Sequence, residues 1–134
     1  MPLKYVSAMQ AKSDENYKAG EVLVEKSYYS ASVHCFYYSV LQKMKYVLCE
    51  KCGISYEEQE SNSQGRGSHN YLRDQVRSKI TDRTDEKEFK RTFDNLKSNR
   101  KMADYEETSI TFELCHTVQN ETEILRRILS TISK

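Results

Sequence analysis

The residues best spaced for chemistry in this chain lie in Asn99-Arg100-Lys101-Met102-Ala103-Asp104-Tyr105. Arg100 and Asp104 are four apart, which puts them on one face of a helix where they can pair. Ala103 and Tyr105 alongside indicate that this face is partly buried. Arginine suits phosphate and tyrosine suits stacking on a base. The segment therefore reads either as one wall of a phosphate or base pocket or as an ion pair that fixes a bundle. Two histidines add proton chemistry. His34 sits among apolar neighbours on a helix, where the ordinary reading is a satisfied core histidine. His69 follows Ser68 at a helix start, where the ordinary reading is a capping or surface residue. The sharper reading makes either one an acid–base partner of Arg100. Tyr37 and Tyr38 read as core and interface residues whose hydroxyls need partners when buried.

The other motifs are incomplete. Cys49-Glu50-Lys51-Cys52 has half the ligands of a zinc site, and it ends a helix rather than opening one after a strand, as a redox motif would. Glu113-Leu114-Cys115-His116 has the carboxylate–histidine spacing of a di-iron bundle, but position 31, where the partner pair of His34 would need its carboxylate, is Ala31. Gly65-Arg66-Gly67-Ser68 lacks the Gly-Lys-Ser/Thr ending of a phosphate loop, and no strand precedes it. No metal and no cofactor is expected.

These residues need elements to hold them, and the central one is the stretch from Tyr28 to Cys52. Val33, Phe36, Tyr37, Val40, Leu41, Met44, Val47 and Leu48 recur at helical spacing. A second stripe of Ala31, His34, Cys35, Tyr38 and Leu41 runs beside the first, which predicts a helix packed on more than one side. Upstream, residues 3–26 read as one helix, or as a short helix and then a longer one capped by Ser13 with Asp14 and Glu15 behind it. Tyr17, Val22 and Leu23, with Val6 and Met9, would face the core. Lys26-Ser27 makes a brief connection, and Gly53 ends the central helix.

Residues 54–68 are polar, contain Gly65 and Gly67 and show no periodicity, so they read as a mobile loop. A third helix is expected from about Ser68 to Lys79. The next is capped by Thr84 and runs to about Tyr105, with Phe89, Phe93, Leu96 and Arg100 in line. The last begins near Ser109 or Thr111 and carries Phe112, Leu114, Cys115, Val118, Ile124, Leu125, Ile128 and Leu129.

One proline and four glycines in 134 residues favour long helices. Hydrophobic content of 37% with 31% charged residues fits a well-hydrated globular chain. The expectation is one all-α domain over residues 1–134, large enough to build a core without staples. A net charge of +1 makes no global case for nucleic acid or membrane. Residues 1–61 carry −1, residues 62–105 carry +4 and residues 106–134 carry −2. Asp74, Asp82 and Asp94 interrupt the basic third, which therefore reads as a solvated face as readily as a phosphate-binding one. The apolar runs are too short for a membrane span and the N-terminus lacks a signal sequence. The expected compartment is cytoplasmic, with Cys35, Cys49, Cys52 and Cys115 as free thiols.

Two stretches taken in order resemble a known family. Phe36-Tyr37-Tyr38-Ser39 within the central helix, followed by Arg100-Lys101-Met102-Ala103-Asp104-Tyr105, resembles the HEPN superfamily of small α-helical proteins. The likeness is to the short-chain branch with an AYYA-type core helix and an R-x-x-A-D-Y segment, and Ser68-His69 falls where such proteins often carry a histidine. It covers roughly residues 15–130. The resemblance implies a four-to-five-helix up-and-down bundle that is commonly a homodimer. Many members are encoded beside a small nucleotidyltransferase or act in toxin–antitoxin and defence systems. Active members are metal-independent RNases that carry an arginine and a histidine separated by four to six intervening residues. No pair here has that spacing: the positions after Arg100 hold Tyr105, Glu106 and Glu107.

The resulting expectation is a non-catalytic dimer that binds a nucleotidyltransferase, RNA or nucleotide through Arg100, Asp104, Tyr105, Tyr38 and His34. The alternative is a divergent RNase using Arg100 with His34 or His69, and the plainest alternative is a purely structural bundle.

Overall fold

A computed structural model of the chain describes residues 7–65 and 67–133, which form six helices and no strand. They are α1 (Ala8–Glu25), α2 (Tyr29–Glu50), α3 (Tyr56–Ser63), α4 (Ser68–Lys79), α5 (Arg83–Tyr105) and α6 (Phe112–Ser130). The buried apolar side chains make one cluster. Among the described residues no helix is long and apolar enough to cross a membrane.

The architecture follows from α2, which contacts all five other helices. Val33, Phe36, Tyr37, Val40, Met44 and Leu48 are fully buried along it. They meet Leu72 and Val76 of α4, Phe89, Phe93 and Leu96 of α5, and Val118, Leu125 and Ile128 of α6. Each such side chain stabilises the fold by about 1.5–3 kcal/mol on leaving water. The second stripe on α2 behaves differently. Leu41 is buried, Cys35 and Tyr38 are half-buried, and Ala31 and His34 are exposed. The helix is therefore covered on one broad face, and its second stripe forms an edge.

α1 packs on α2 through small and polar residues instead of the expected apolar ones. Val22 is 44% exposed, Tyr17 and Leu23 are half-buried, and Val6 lies outside the described residues. The close approach comes at Gly20, where an added Cβ would stand 2.6 Å from Phe36 Cε1. Ser32 Oγ donates to Gly20 O at 2.9 Å across the same contact. Ser13 is buried in the middle of one continuous helix and caps nothing. Its hydroxyl donates to Ser39 O at 2.5 Å and accepts from Arg126 Nη1 of α6 at 2.8 Å. The cap of α1 is Ser7, whose Oγ accepts from Gln10 N. At the other end Ser27 adopts φ 64°, and Ser27 N and Tyr28 N donate to Val24 O and Leu23 O. That double closure is a Schellman motif with serine where glycine is usual.

The stretch 54–68, expected to be a loop, contains α3, and this raises the helix count from four or five to six. The helix was hidden because polar contacts hold it. Ser55 Oγ accepts from Glu58 N at 3.1 Å, and Glu57 and Glu58 complement the dipole of the first turn. Gln59 is the buried anchor, donating from Nε2 to Lys45 O at 3.1 Å and to Ile54 O at 3.0 Å. α4 runs over the expected residues. α5 starts earlier than expected, capped by Asp82, whose Oδ1 accepts from Asp85 N at 2.8 Å. Thr111 caps α6, and Phe112 in its first turn is half exposed.

Candidate functional site

α5 carries its buried line Phe89, Phe93 and Leu96 one turn further than the apolar residues last, and the next position on that line is Arg100. The guanidinium is therefore drawn into the end of the core and is only 6% exposed. Aromatic rings surround it. Its Cζ lies 4.7 Å from the centroid of Tyr37, 5.9 Å from that of Tyr38 and 5.6 Å from that of Tyr105. A ring face attracts a cation by about 0.5–1 kcal/mol at exposed sites and about 2 kcal/mol where the cation is desolvated.

The polar partners of Arg100 are longer than a good charge-assisted bond, which runs near 2.8 Å. Nη1 reaches Tyr105 Oη at 3.4 Å and Asp104 Oδ2 at 3.8 Å, and Nη2 reaches His69 Nδ1 at 3.4 Å. Nε has no hydrogen-bond partner among the described residues. A guanidinium has five donors, and here they are buried and weakly used.

His69 enters from the first turn of α4. Tyr37 Oη donates to its Nδ1 at 2.6 Å, so that nitrogen is the acceptor and Nε2 carries the proton. Arg100 has no acceptor to offer, so protonating Nδ1 would set one N–H against another. Burial first, and then the charges of Arg100, Lys97 and Lys45, hold the imidazole pKa at about 4. Burial likewise pushes the Tyr37 hydroxyl up to about 12, against the pull of Arg100. Lys97, one turn before Arg100, donates from Nζ to Asn70 Oδ1 at 2.7 Å. Its pKa is lowered by burial and by the cations Lys101 and Arg73 around it.

His34 is not a satisfied core histidine. It is exposed, and its Nδ1 donates to Asp104 Oδ2 at 2.9 Å while its ring lies 4.7 Å from that of Tyr38. Residues 33, 36, 37 and 40 take the core face of α2, and position 34 is turned away from it. Asp104 thus ties His34 to the Arg100 end of α5. Tyr105 is 75% exposed, with its hydroxyl over the guanidinium. Every sequence candidate, Arg100, Asp104, Tyr105, Tyr38, His34 and His69, falls in this one cluster where α2, α4 and α5 meet. Lys97, Lys45 and Asn70 were missed. Lys97 was legible, because it precedes Arg100 by three on the same helical face.

The remaining motifs do not assemble. Cys35, Cys49, Cys52 and Cys115 are free, and no group of three potential metal ligands occurs among the described residues. Glu113 and His116 are exposed, His116 stacking on Phe112 at 6.2 Å. Arg66 lies outside the described residues. Compared with protein-family models, with curated proteins and with solved structures, the chain finds no match.

Guanidinium donors suit phosphate oxygens and an exposed tyrosine ring suits stacking on a base; here the ring of Tyr105 is accessible, while Arg100 is covered by its neighbours.

Proposed function

We propose that the chain is a HEPN-like helical bundle that binds RNA or a nucleotide by its phosphate at Arg100 and does not cleave it. The observation that supports this is the buried guanidinium of Arg100, ringed by three tyrosines, whose contacts to Tyr105, His69 and Asp104 run from 3.4 to 3.8 Å and whose Nε has no partner among the described residues. The reading includes a homodimer in the cytoplasm and a small nucleotidyltransferase as protein partner, within a toxin–antitoxin or defence system. Those parts rest on the resemblance of the Phe36–Ser39 and Arg100–Tyr105 segments alone.

A second reading is a metal-independent RNase, and the closeness of His69 Nδ1 to Arg100 Nη2 favours it. Acid–base catalysis works best when the pKa lies near the working pH. An imidazole held at about 4 is a weak base at neutrality, and it is not present as the imidazolium that would serve as a general acid. Binding is the better fit.

The test is fluorescence anisotropy of a labelled single-stranded RNA with metal chelated, for the wild type and Arg100→Gln. Binding weakened about tenfold or more by the substitution, equivalent to 1.4 kcal/mol, supports the reading; equal binding sinks it. Gel analysis of the same mixtures separates the alternatives. Cleavage lost in both Arg100→Gln and His69→Asn would replace the binding role with the nuclease. Sedimentation showing only monomer at high concentration would remove the dimer.

A further inference from the structure

Where α1, α2 and α6 meet, two open cavities of about 350 and 190 Å³ adjoin, with Lys43 and Ser130 lining both. Neither α4 nor α5 gives them a lining residue. Among the described residues four cations and one carboxylate line the pair. Lys43, Arg126 and Arg127 face Glu123 in the larger cavity, and Lys43 and Lys51 stand without an acid in the smaller. In a chain whose net charge is +1, this is a local concentration of positive charge.

Lys43 is the centre of this groove. It is half-buried, yet its ammonium makes no hydrogen bond and no ion pair among the described residues, whereas charges drawn out of water are ordinarily paired. Unlike Arg100 Nε, the nitrogen is open to solvent rather than sealed in protein. Burial first, and then the charge of Arg126, lower its pKa against the pull of Asp14, and an anion beside it would oppose both effects. The nearest carboxylates are already engaged. Arg126 donates from Nη2 to Asp14 Oδ1 at 2.7 Å, and Tyr17 Oη donates to Glu123 Oε1 at 2.7 Å. Arg126 also donates from Nη1 to Ser13 Oγ and lies 5.1 Å from the centroid of Tyr17, so it is held in place with only two of its five donors spent. Arg127 is tied only to Glu88, at 3.7 Å, and its side chain is 58% exposed, which leaves it free to turn toward the groove. Lys51 follows Lys43 by two turns of α2, about 12 Å along the helix axis. The cations therefore form a row: the two arginines, then Lys43, then Lys51. A single phosphate reaches one part of that row, and a chain of linked phosphates reaches all of it. Val47 and Leu129 in the smaller cavity are buried, so its walls offer little apolar face to a hydrophobic ligand.

We propose that this groove is a second binding site, which takes a chain of two or three linked phosphoryl groups, with Lys43 at its centre, Arg126 and Arg127 at one end and Lys51 at the other. Free oligophosphate and the tail of a nucleoside triphosphate present this same chemistry. The site goes beyond the Arg100 reading and stands without it, since the two share no residue.

The experiment is calorimetric titration of the full chain, at fixed ionic strength and with metal chelated, using inorganic phosphate, pyrophosphate, triphosphate and ATP. Triphosphate is expected to bind about tenfold more tightly than phosphate or better. ATP matching triphosphate supports recognition of the phosphate chain alone, and ATP binding more tightly supports the same site with a nucleotide as the source. Lys43→Gln and Lys51→Gln should each weaken triphosphate about fivefold or more. Lys87→Gln, which removes an exposed charge on α5, should leave it unchanged. Arg100→Gln should leave it unchanged too, which separates this groove from the RNA surface. In the wild type, NMR titration of the Lys43 side chain should show its pKa rising on saturation, and this reading serves if Lys43→Gln does not fold. The proposal is overturned if millimolar triphosphate does not bind, if phosphate binds equally well, or if ATP binds where triphosphate does not. It is overturned as well if Lys87→Gln costs as much as Lys43→Gln, or if Arg100→Gln removes the binding.

Discussion

Arg100 Nη2 stands 3.4 Å from His69 Nδ1, though 31 residues separate them in the chain. The contact places a permanent cation on the acceptor nitrogen of a half-buried imidazole. It forms because α4 starts and α5 ends at the same level of α2, where Tyr37 touches both residues.

Arg100 should be more valuable to binding than to stability. A buried charge with weak partners can be replaced by an apolar chain of similar length at little cost, and sometimes with a gain of 1–4 kcal/mol. Arg100→Met should therefore unfold in urea at or above the wild-type midpoint while losing about tenfold or more in RNA affinity. A fall in stability beyond about 3 kcal/mol would make Arg100 a structural residue first.

Acid should weaken the fold through His69. Its pKa is about 4 in the folded chain against 6.5 for the ordinary imidazole, so between those values the unfolded chain binds more protons. Stability therefore rises with pH across that window, is fully present above about 6.5 and is lost on descent toward 4. Allowing for solvent screening of a half-exposed ring, the loss is on the order of 2 kcal/mol. Urea midpoints at pH 7 and pH 4.5 for the wild type and His69→Gln measure it. The variant should show a smaller drop, and an identical drop would assign the effect to other groups.

Gly20→Ala should destabilise, although alanine is the better helix former by about 1 kcal/mol. The new methyl would meet the Phe36 ring at 2.6–2.7 Å, and overpacking of this kind costs about 1–3 kcal/mol. Thermal unfolding of the single variant, and of Gly20→Ala with Phe36→Leu, checks the cause. Relief of the loss in the double variant is the expected result.

Ser27→Gly should stabilise or be neutral. Serine at φ 64° carries a left-handed penalty of about 1 kcal/mol that glycine lacks, partly offset by the freedom glycine adds to the unfolded chain. Chemical denaturation reads the difference. A marked loss would mean that the Ser27 hydroxyl, which accepts from Tyr29 Oη at 3.4 Å, matters more than the turn.

What was legible in the sequence depended on which force held each part. The core face of α2, the span of α4 and the line Phe89–Phe93–Leu96 are held by apolar burial, and periodicity reports burial directly. α3 is held by the amide of one glutamine and the hydroxyl of one serine, and these leave no period in the chain. α1 follows the same logic: its contact with α2 uses Ser13 and Gly20, so the rule that apolar residues face inward misplaced Val22. At the candidate site the residue types were legible because arginine beside Asp104 and Tyr105 is an unusual grouping. Their assembly with His69 was not, because it depends on where two separate helices end.

The hydroxyl of Ser13 also sets an order on events. Its partner Arg126 is 113 residues further on and reaches both Ser13 Oγ and Asp14 Oδ1. A chain emerging from the ribosome therefore presents α1 and α2 as a hairpin long before this clasp can close. Until α6 arrives, the edge of that hairpin is without its clamp, and a helix made much later locks the first.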